Sequence, residues 1–181
     1  HTPITYYVDA DGDGYDAGSA SFCSSTAPTG YSATTNGTDC NDTNAAVNTA
    51  ATIITQPSSA LICKVIGGTA ALTVVATPGA TYQWLTQTAT GTTWPTVANG
   101  ANYAGATSAT LNITRTALTL PATGTKYKVV VTNACGTVTS DVVTITDIAA
   151  ASKATAVTAV TKLVPAGTTC SGSSIVLQAA S

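Results

Sequence analysis

The chain has 181 residues, a formal net charge of −2, and only 8% charged residues, against roughly 25% in an average soluble domain. It is rich in Thr, Ala, Val, Ser and Gly and has no Glu or Met, which predicts an all-β fold because β-branched residues favour strands and helix formers are scarce. A single His and six scattered cations argue against an enzyme with a Ser–His pair and against a nucleic-acid interface, and no apolar run is long enough to span a membrane.

The acidic residues are concentrated at the N-terminal end. Residues 1–50 hold six Asp and no Lys or Arg, a formal charge of −6, whereas residues 51–181 have a formal charge of +4. Six like charges in a short segment repel one another unless a cation neutralises them. The sequence therefore predicts that residues 1–50 form an Asp-rich calcium-binding module. A solvated acidic loop and a site for another metal are the alternatives.

The first group of acids has the spacing of a calcium-binding loop. Three carboxylates stand at alternate positions and a glycine follows directly: Asp9, Asp11, Asp13 and Gly14. This order matches the first half of an EF-hand loop, in which the residue after the glycine offers its backbone carbonyl, here that of Tyr15. The position of the bidentate Glu is occupied by Ala20, so a complete EF-hand is excluded.

The remaining ligands are expected from a second group of acids. Asp39 and Asp42 lie on either side of Cys40, and a bond between Cys23 and Cys40 could bring this group against the first. Oxygen ligands without imidazole or thiolate favour Ca²⁺ over Zn²⁺ or Cu²⁺. Ca²⁺ is therefore the predicted cofactor.

The run YYVDADGDGYDAG, a following Cys, and DCNDTNAAVN resemble the MopE-type metal-binding repeats of bacterial surface proteins, which are similar to thrombospondin calcium repeats. The resemblance covers about residues 5–48. It implies a loop-rich module whose core is bound calcium and a disulfide. The ligands that it implies are Asp9, Asp11, Asp13, Asp42, Asp39 and the Tyr15 carbonyl, followed by Asn41, Asn44 and Asp16.

Residues 51–147 have the pattern of an Ig-like β-sandwich, because short β-branched stretches alternate with turn signals. The strands predicted in chain order cover residues 52–56, 70–76, 82–85, 110–113, 126–132 and 137–145. Residues 133–136 are predicted to connect the last two as a hairpin. Trp84 is expected in the core, and Tyr127 is expected to anchor the corner that precedes its strand.

The elements ATYQW, YAGATSATLNIT and NACGTVTS follow one another in this region and resemble Ig-like repeats of giant surface adhesins of Bacteroidota. In that family the early Cys and the Cys of NACG pair, which implies a disulfide between Cys63 and Cys135. Persistent disulfides imply an extracellular or cell-surface location.

Residues 148–181 are predicted to be a connector followed by the first two strands of a further Ig-like unit. Three interpretations remain open: a window of a longer repeat protein, strand donation to a neighbouring subunit, or docking onto the same sandwich. Under the first two interpretations, Cys170 is unpaired within this chain or forms an intermolecular bond.

Together these features predict a non-enzymatic structural segment of an extracellular fibrous surface protein, an adhesin or a filament subunit. Its partners would be adjacent repeats or identical subunits, with surface glycans as a further option. The alternative is a carbohydrate-binding or other ligand-binding module of a secreted protein, with Trp94 and Tyr103 as the exposed aromatic residues.

Overall fold

The computed structural model describes residues 2–118 and 121–148, and within these ranges it contains thirteen strands and no helix. The all-β prediction is therefore confirmed. No helix in these ranges could cross a membrane on length and apolarity. In chain order the strands are β1 (Ile4–Val8), β2 (Ser19–Phe22), β3 (Tyr31–Ser32), β4 (Ile53–Thr55), β5 (Ala60–Cys63), β6 (Thr69–Thr73), β7 (Val75–Ala76), β8 (Thr81–Gln87), β9 (Tyr103–Ala104), β10 (Thr110–Thr114), β11 (Lys126–Asn133), β12 (Gly136–Thr139) and β13 (Val143–Ile148).

Strands β4 to β13 form a two-layer sandwich. In one layer β6 pairs with β10, β10 pairs with β9, and β7, which continues the line of β6, pairs with β4. In the other layer β11 lies between β8 on one side and β12 and β13 on the other, and β5 runs parallel to β13. With β4, β6 and β7, β9 and β10 as strands A, B, D and E in one layer, and β8, β11 and β13 as strands C, F and G in the other, the two layers have the connectivity of the Ig fold. The Ig-like prediction is therefore also confirmed.

The core lies between the two layers and is built from alternating side chains. Along β11 the residues Tyr127, Val129 and Val131 are fully buried, while the residues between them are partly exposed. Trp84 on β8 is also fully buried, and its indole N–H donates a hydrogen bond to the Ser108 carbonyl at 2.9 Å. Burial with a satisfied N–H is what a core tryptophan requires, and the predicted position of Trp84 is confirmed.

The segment predicted as one strand over residues 137–145 is divided into β12 and β13. Ser140 is buried between them, and its hydroxyl accepts a hydrogen bond from the Val129 N–H at 3.0 Å and donates one to the Asp141 carbonyl at 2.9 Å. The Ser140 hydroxyl thus replaces a backbone carbonyl as the hydrogen-bond partner of the Val129 N–H. This substitution allows the chain to shift register between β12 and β13.

Tyr127 was expected to bond to the corner before its strand, but its hydroxyl lies 3.0 Å from the hydroxyl of Tyr103. The rings of these two residues are in edge contact, with centroids 6.1 Å apart. Burial, and then the hydrogen bond with Tyr103, raise the pKa of the Tyr127 hydroxyl well above its ordinary value. The hydrogen bond between the two hydroxyls links β9 to β11 through the core.

The N-terminal part of the chain forms a separate small sheet in the order β2, β1, β3. Tyr6 on β1 is buried, and its hydroxyl donates to the Ser24 carbonyl at 3.0 Å. Phe22 contacts both Tyr6 and Tyr31, with ring centroids 6.2 and 4.9 Å apart. Three aromatic rings make only a small core for this sheet. Other interactions must therefore supply much of the stability of the N-terminal part of the chain.

Both predicted disulfide pairings are wrong. Cys40 is bonded to Cys135, with Cα atoms 5.3 Å apart and 95 positions apart in sequence, and Cys23 is free and exposed. The reason is that residues 41–51 fold against the hairpin between β11 and β12 and bring Cys40 to it. Cys63 is also disulfide-bonded, but not to Cys135. Cys170 and the strands predicted in the tail lie outside the described residues.

Candidate metal centre

The loop that follows β1 is shaped by its own carboxylates. Asp9 accepts a hydrogen bond from the N–H of Gly12 at 2.8 Å, and Asp13 accepts one from the N–H of Tyr15 at 2.8 Å. Asp11 accepts a longer one, 3.2 Å, from the N–H of Asp13. Such side-chain to backbone bonds are how Asp stabilises tight turns. One oxygen of each of these carboxylates is thereby fixed by a hydrogen bond from the backbone.

Glycine is required in this loop because the backbone turns sharply. Gly14 has a φ of 87°, in the left-handed region that other residues rarely adopt. A Cβ at this position would also lie 2.8 Å from the side-chain amide nitrogen of Asn36. The Gly14 carbonyl accepts a hydrogen bond from the N–H of Asn36 at 2.8 Å, so the loop and residues 36–39 approach each other closely here.

Backbone hydrogen bonds bring the second group of acids to the first. Asp16 donates its N–H to the Gly37 carbonyl at 2.8 Å, and the Asp16 carbonyl accepts from the N–H of Asp39 at 2.6 Å. Asp42 then accepts a hydrogen bond from the N–H of Ala10 at 2.7 Å. The two groups are far apart in sequence, and these bonds place them around a common centre.

Two sets of three carboxylates result, each with oxygens within 4.8 Å of one another: Asp9, Asp11 and Asp13, and Asp11, Asp39 and Asp42. Oxygens that bind one Ca²⁺ at 2.3–2.6 Å can be no more than about 5 Å apart. The spacing of both sets therefore fits a calcium ion. Asp11 belongs to both sets and is the residue on which they converge.

The electrostatics of the cluster are unfavourable without a cation. Asp39 is only 5% exposed. Among the described residues, the second oxygens of Asp11 and Asp39 are buried without a hydrogen-bond partner. Partial burial first, and then the nearby carboxylates of Asp13 and Asp39, raise the pKa of Asp11 above 3.8. Leaving a buried carboxylate oxygen unpartnered is costly, and a divalent cation would supply the missing partner.

The structure separates the predicted ligands into two groups. The five predicted carboxylates come together: Asp9, Asp11, Asp13, Asp39 and Asp42. Asp16 instead accepts hydrogen bonds from the N–H of Gly18 at 3.0 Å and the hydroxyl of Thr35 at 2.5 Å. The side chain of Asn41 accepts from the Thr43 hydroxyl, and that of Asn44 accepts from the Ala46 N–H. These three side chains support the loops, and the Tyr15 carbonyl remains a predicted ligand.

One contributing residue was missed in the sequence. The side-chain amide of Asn48 donates to the second oxygen of Asp13 at 3.1 Å. Asn48 follows Asp42, the last acid of the N-terminal segment, and no spacing pattern in the sequence links it to Asp13. Only the folding of residues 41–51 back toward the loop brings them together.

The aromatic residues considered for ligand binding do not form a shared exposed surface. Trp94 is covered by Lys128, whose Nζ lies 4.4 Å from the ring centroid. The hydroxyl of Tyr103 is hydrogen-bonded to that of Tyr127, and Tyr103 lines a cavity of about 210 Å³. The other described residues that line this cavity are Thr, Pro and Ala, and among them there is no acid, base or nucleophile pair of the kind that hydrolases use.

No family model matches the chain, and no curated protein matches it. Several solved structures are similar. A structure of tandem Ig repeats of Dlar is 20% identical, with 55% of this chain and 48% of that one covered and a TM-score of 0.43. A Dscam structure is 20% identical, with 55% and 24% covered and a TM-score of 0.44. Titin M4 is 21% identical, with 55% and 97% covered and a TM-score of 0.40.

This chain thus spans about half of the Dlar structure and a quarter of the Dscam structure. Identities near 20% and TM-scores below 0.5 carry no information on what this chain binds or does.

Proposed function

We propose that this chain is a structural segment of an extracellular fibrous surface protein, an adhesin or a filament subunit. In this proposal calcium rigidifies an Asp-rich module, residues 1–50, that is joined to the Ig-like sandwich. The observation that carries the proposal is Asp39, which belongs to the carboxylate cluster and comes one residue before the disulfide to the sandwich, and whose second oxygen is buried with no hydrogen-bond partner among the described residues. The disulfide that joins the module to the sandwich and the proposed cation site thus lie in one short stretch of chain.

The proposed ligands are the clustered carboxylates together with the carbonyl of Tyr15. They are Asp9, Asp11, Asp13, Asp39 and Asp42. All are hard oxygen donors carried by irregular loops, and a set rich in carboxylates together with a backbone carbonyl suits the flexible coordination of Ca²⁺. The resemblance of residues 5–48 to MopE-type and thrombospondin repeats supports the same choice.

The mechanical part of the proposal is supported by the sandwich. Its core is apolar and closely packed, a disulfide fixes one end of it, and Cys63 is bonded as well. Persistent disulfides fit an oxidising location outside the cytoplasm. Nothing in the geometry of Trp94 and Tyr103 specifically favours the alternative of a carbohydrate-binding module.

Limited proteolysis tests the proposal directly. Without calcium the carboxylates repel one another, so residues 1–50 should be cleaved faster in a chelator than in calcium, while residues 53–148 should be cleaved equally in both. Equal cleavage of residues 1–50 in both conditions, together with no heat of calcium binding in titration calorimetry, would show that the module does not depend on calcium.

A matched pair of variants makes the test specific. Asp39→Asn removes one charge at the proposed site, and Asp141→Asn removes one charge from an exposed position on the sandwich. The protection by calcium should be lost in the first variant and retained in the second.

A further inference from the structure

We infer that the Cys40–Cys135 disulfide and the metal centre are one thermodynamically coupled unit. The disulfide positions two of the proposed calcium ligands, so breaking it weakens calcium binding, and bound calcium protects it against thiol reductants. This inference rests on the proposed calcium function and adds to it the covalent element that positions the site.

The first step is the position of the disulfide within the metal centre. Cys40 directly follows Asp39 and comes two residues before Asp42, both of which belong to one carboxylate set. Asp39 also accepts a hydrogen bond from the N–H of Asn41 at 2.7 Å. Residues 39–42 therefore cannot move far without displacing both the disulfide and at least one of the carboxylates.

The second step is that the other end of the disulfide is firmly held. Cys135 lies in the hairpin between β11 and β12, and the Asn133 side chain accepts a hydrogen bond from its N–H at 3.0 Å. The same side chain accepts from the N–H of Ala51 at 3.1 Å and donates to the Thr49 carbonyl at 2.8 Å. Asn133 therefore fastens both the disulfide and residues 49–51 to the sandwich.

The third step is that residues 40–51 form a loop fixed at both ends. The disulfide holds its start, Asn133 holds its end, and the buried side chain of Val47 packs against the sandwich next to Gly79. This loop carries Asp42 and Asn48, which bind the first loop through Ala10 and Asp13. Opening the disulfide would free one end of the loop, and calcium binding would then have to order it again.

Coupling of this kind is reciprocal. If the intact disulfide raises calcium affinity by a given factor, calcium must favour the oxidised form over the reduced form by the same factor. Couplings between sites in proteins are roughly 5- to 150-fold. We expect a value of about tenfold here, because two carboxylates of five are affected.

The reduction itself is ordinary thiol–disulfide exchange with a dithiol. One thiolate of the reductant attacks a sulfur of the Cys40–Cys135 bond and forms a mixed disulfide, and the other cysteine leaves as a thiolate. The second thiolate of the reductant then closes a cyclic disulfide and releases the second cysteine. Two electrons pass from the dithiol, which is oxidised, to the two cysteines, which are reduced and take up protons from water.

The first experiment compares calcium affinity by titration calorimetry in two proteins. The parent carries Cys23→Ser, which removes the free thiol, and the variant adds Cys40→Ser and Cys135→Ser. Tryptophan fluorescence, to which the buried Trp84 contributes together with Trp94, checks that the sandwich is folded in both. We expect calcium to bind the variant about tenfold more weakly, and equal affinity in the folded proteins would overturn the coupling. No calcium binding by the parent would instead overturn the proposed function, and the coupling with it.

The second experiment needs no cysteine variant and therefore covers the case of a variant that fails to fold. The natural chain is treated with dithiothreitol with and without calcium, alkylated at intervals, and analysed by peptide mass spectrometry. We expect calcium to slow alkylation of Cys40 and Cys135 and to leave that of Cys63, which is also disulfide-bonded, unchanged. No slowing, or the same slowing at Cys63, would contradict the inference.

Discussion

Arg115 and Asp147 form an ion pair at one end of the sandwich, in which the guanidinium is fully buried and the carboxylate is partly buried. The guanidinium of Arg115 is fully buried and donates to the carboxylate of Asp147 on β13 and to the Leu118 carbonyl at 3.0 Å. The backbone of Arg115 also bonds to Gly67 and Gly68, before β6. Through its backbone and its side chain together, Arg115 therefore joins the end of β10 to the start of β6 and to β13.

We expect Asp147→Ala to lower the free energy of unfolding by about 3 kcal/mol, because it leaves a buried guanidinium without its partner. Urea denaturation measures the change. The control is Asp141→Ala, an exposed aspartate without an ion pair among the described residues, which should change stability by less than about 0.5 kcal/mol. Equal effects of the two substitutions would show that the ion pair is not important to stability.

Asp39→Asn should have opposite effects with and without calcium. In calcium-free protein it removes one buried charge from a group of like charges, so the melting temperature should rise. In calcium the same change removes a ligand, so the protein should be stabilised less than the natural chain. Melting temperatures of both proteins, measured in chelator and in calcium, test whether the effect of the substitution changes sign. A decrease of the melting temperature in both conditions would mean that Asp39 has only a structural role.

The pH dependence of the calcium-free protein should reflect Asp11. Its pKa is raised above 3.8 in the folded state by partial burial and by neighbouring carboxylates, so the folded chain holds this proton more tightly than the unfolded chain. The contribution of Asp11 to stability is therefore present below pH 3.8 and is lost as the pH rises through the folded-state pKa. Denaturation from pH 3 to 6 in calcium-free buffer should show this loss in the natural chain and not in Asp11→Asn.

The two tryptophans should differ sharply in their contribution to stability. Trp84→Phe removes a fully buried indole and its hydrogen bond to Ser108, and we expect a loss of about 2 to 3 kcal/mol. Trp94→Phe keeps an aromatic ring against Lys128 at the surface, and we expect less than about 1 kcal/mol. Chemical denaturation of both variants measures the difference, and similar losses would contradict the assignment of Trp84 to the core.

The features that the sequence predicted correctly are local ones. Alternating apolar residues identify β10 and β11 and place Trp84 inside, because the pleat of a strand repeats every two residues. The spacing of Asp9, Asp11 and Asp13 likewise depends only on neighbouring positions, and the structure brings these carboxylates together.

The disulfides could not be predicted in this way. The connectivity of several cysteines is not determined by sequence alone. Here it depends on residues 41–51, which have no periodic pattern and take their course from Asn133 and from the packing of Val47. The same folding brings Asn48 to Asp13. Both interactions join residues that are distant in the chain, and neither has a local signature.

The covalent bond between Cys40 and Cys135 also decides which part of the chain can be stretched. Under a pulling force applied at the two ends of the described region, the load passes from Cys40 directly to Cys135 and bypasses the 95 positions of chain that the bond closes. About 330 Å of potential extension, at roughly 3.5 Å per residue, is thereby kept out of the load path. Strands β4 to β11 all lie within this closed part, and β12 and β13 lie beyond it. The sandwich can yield only by the peeling of its last two strands, after which the disulfide limits further extension.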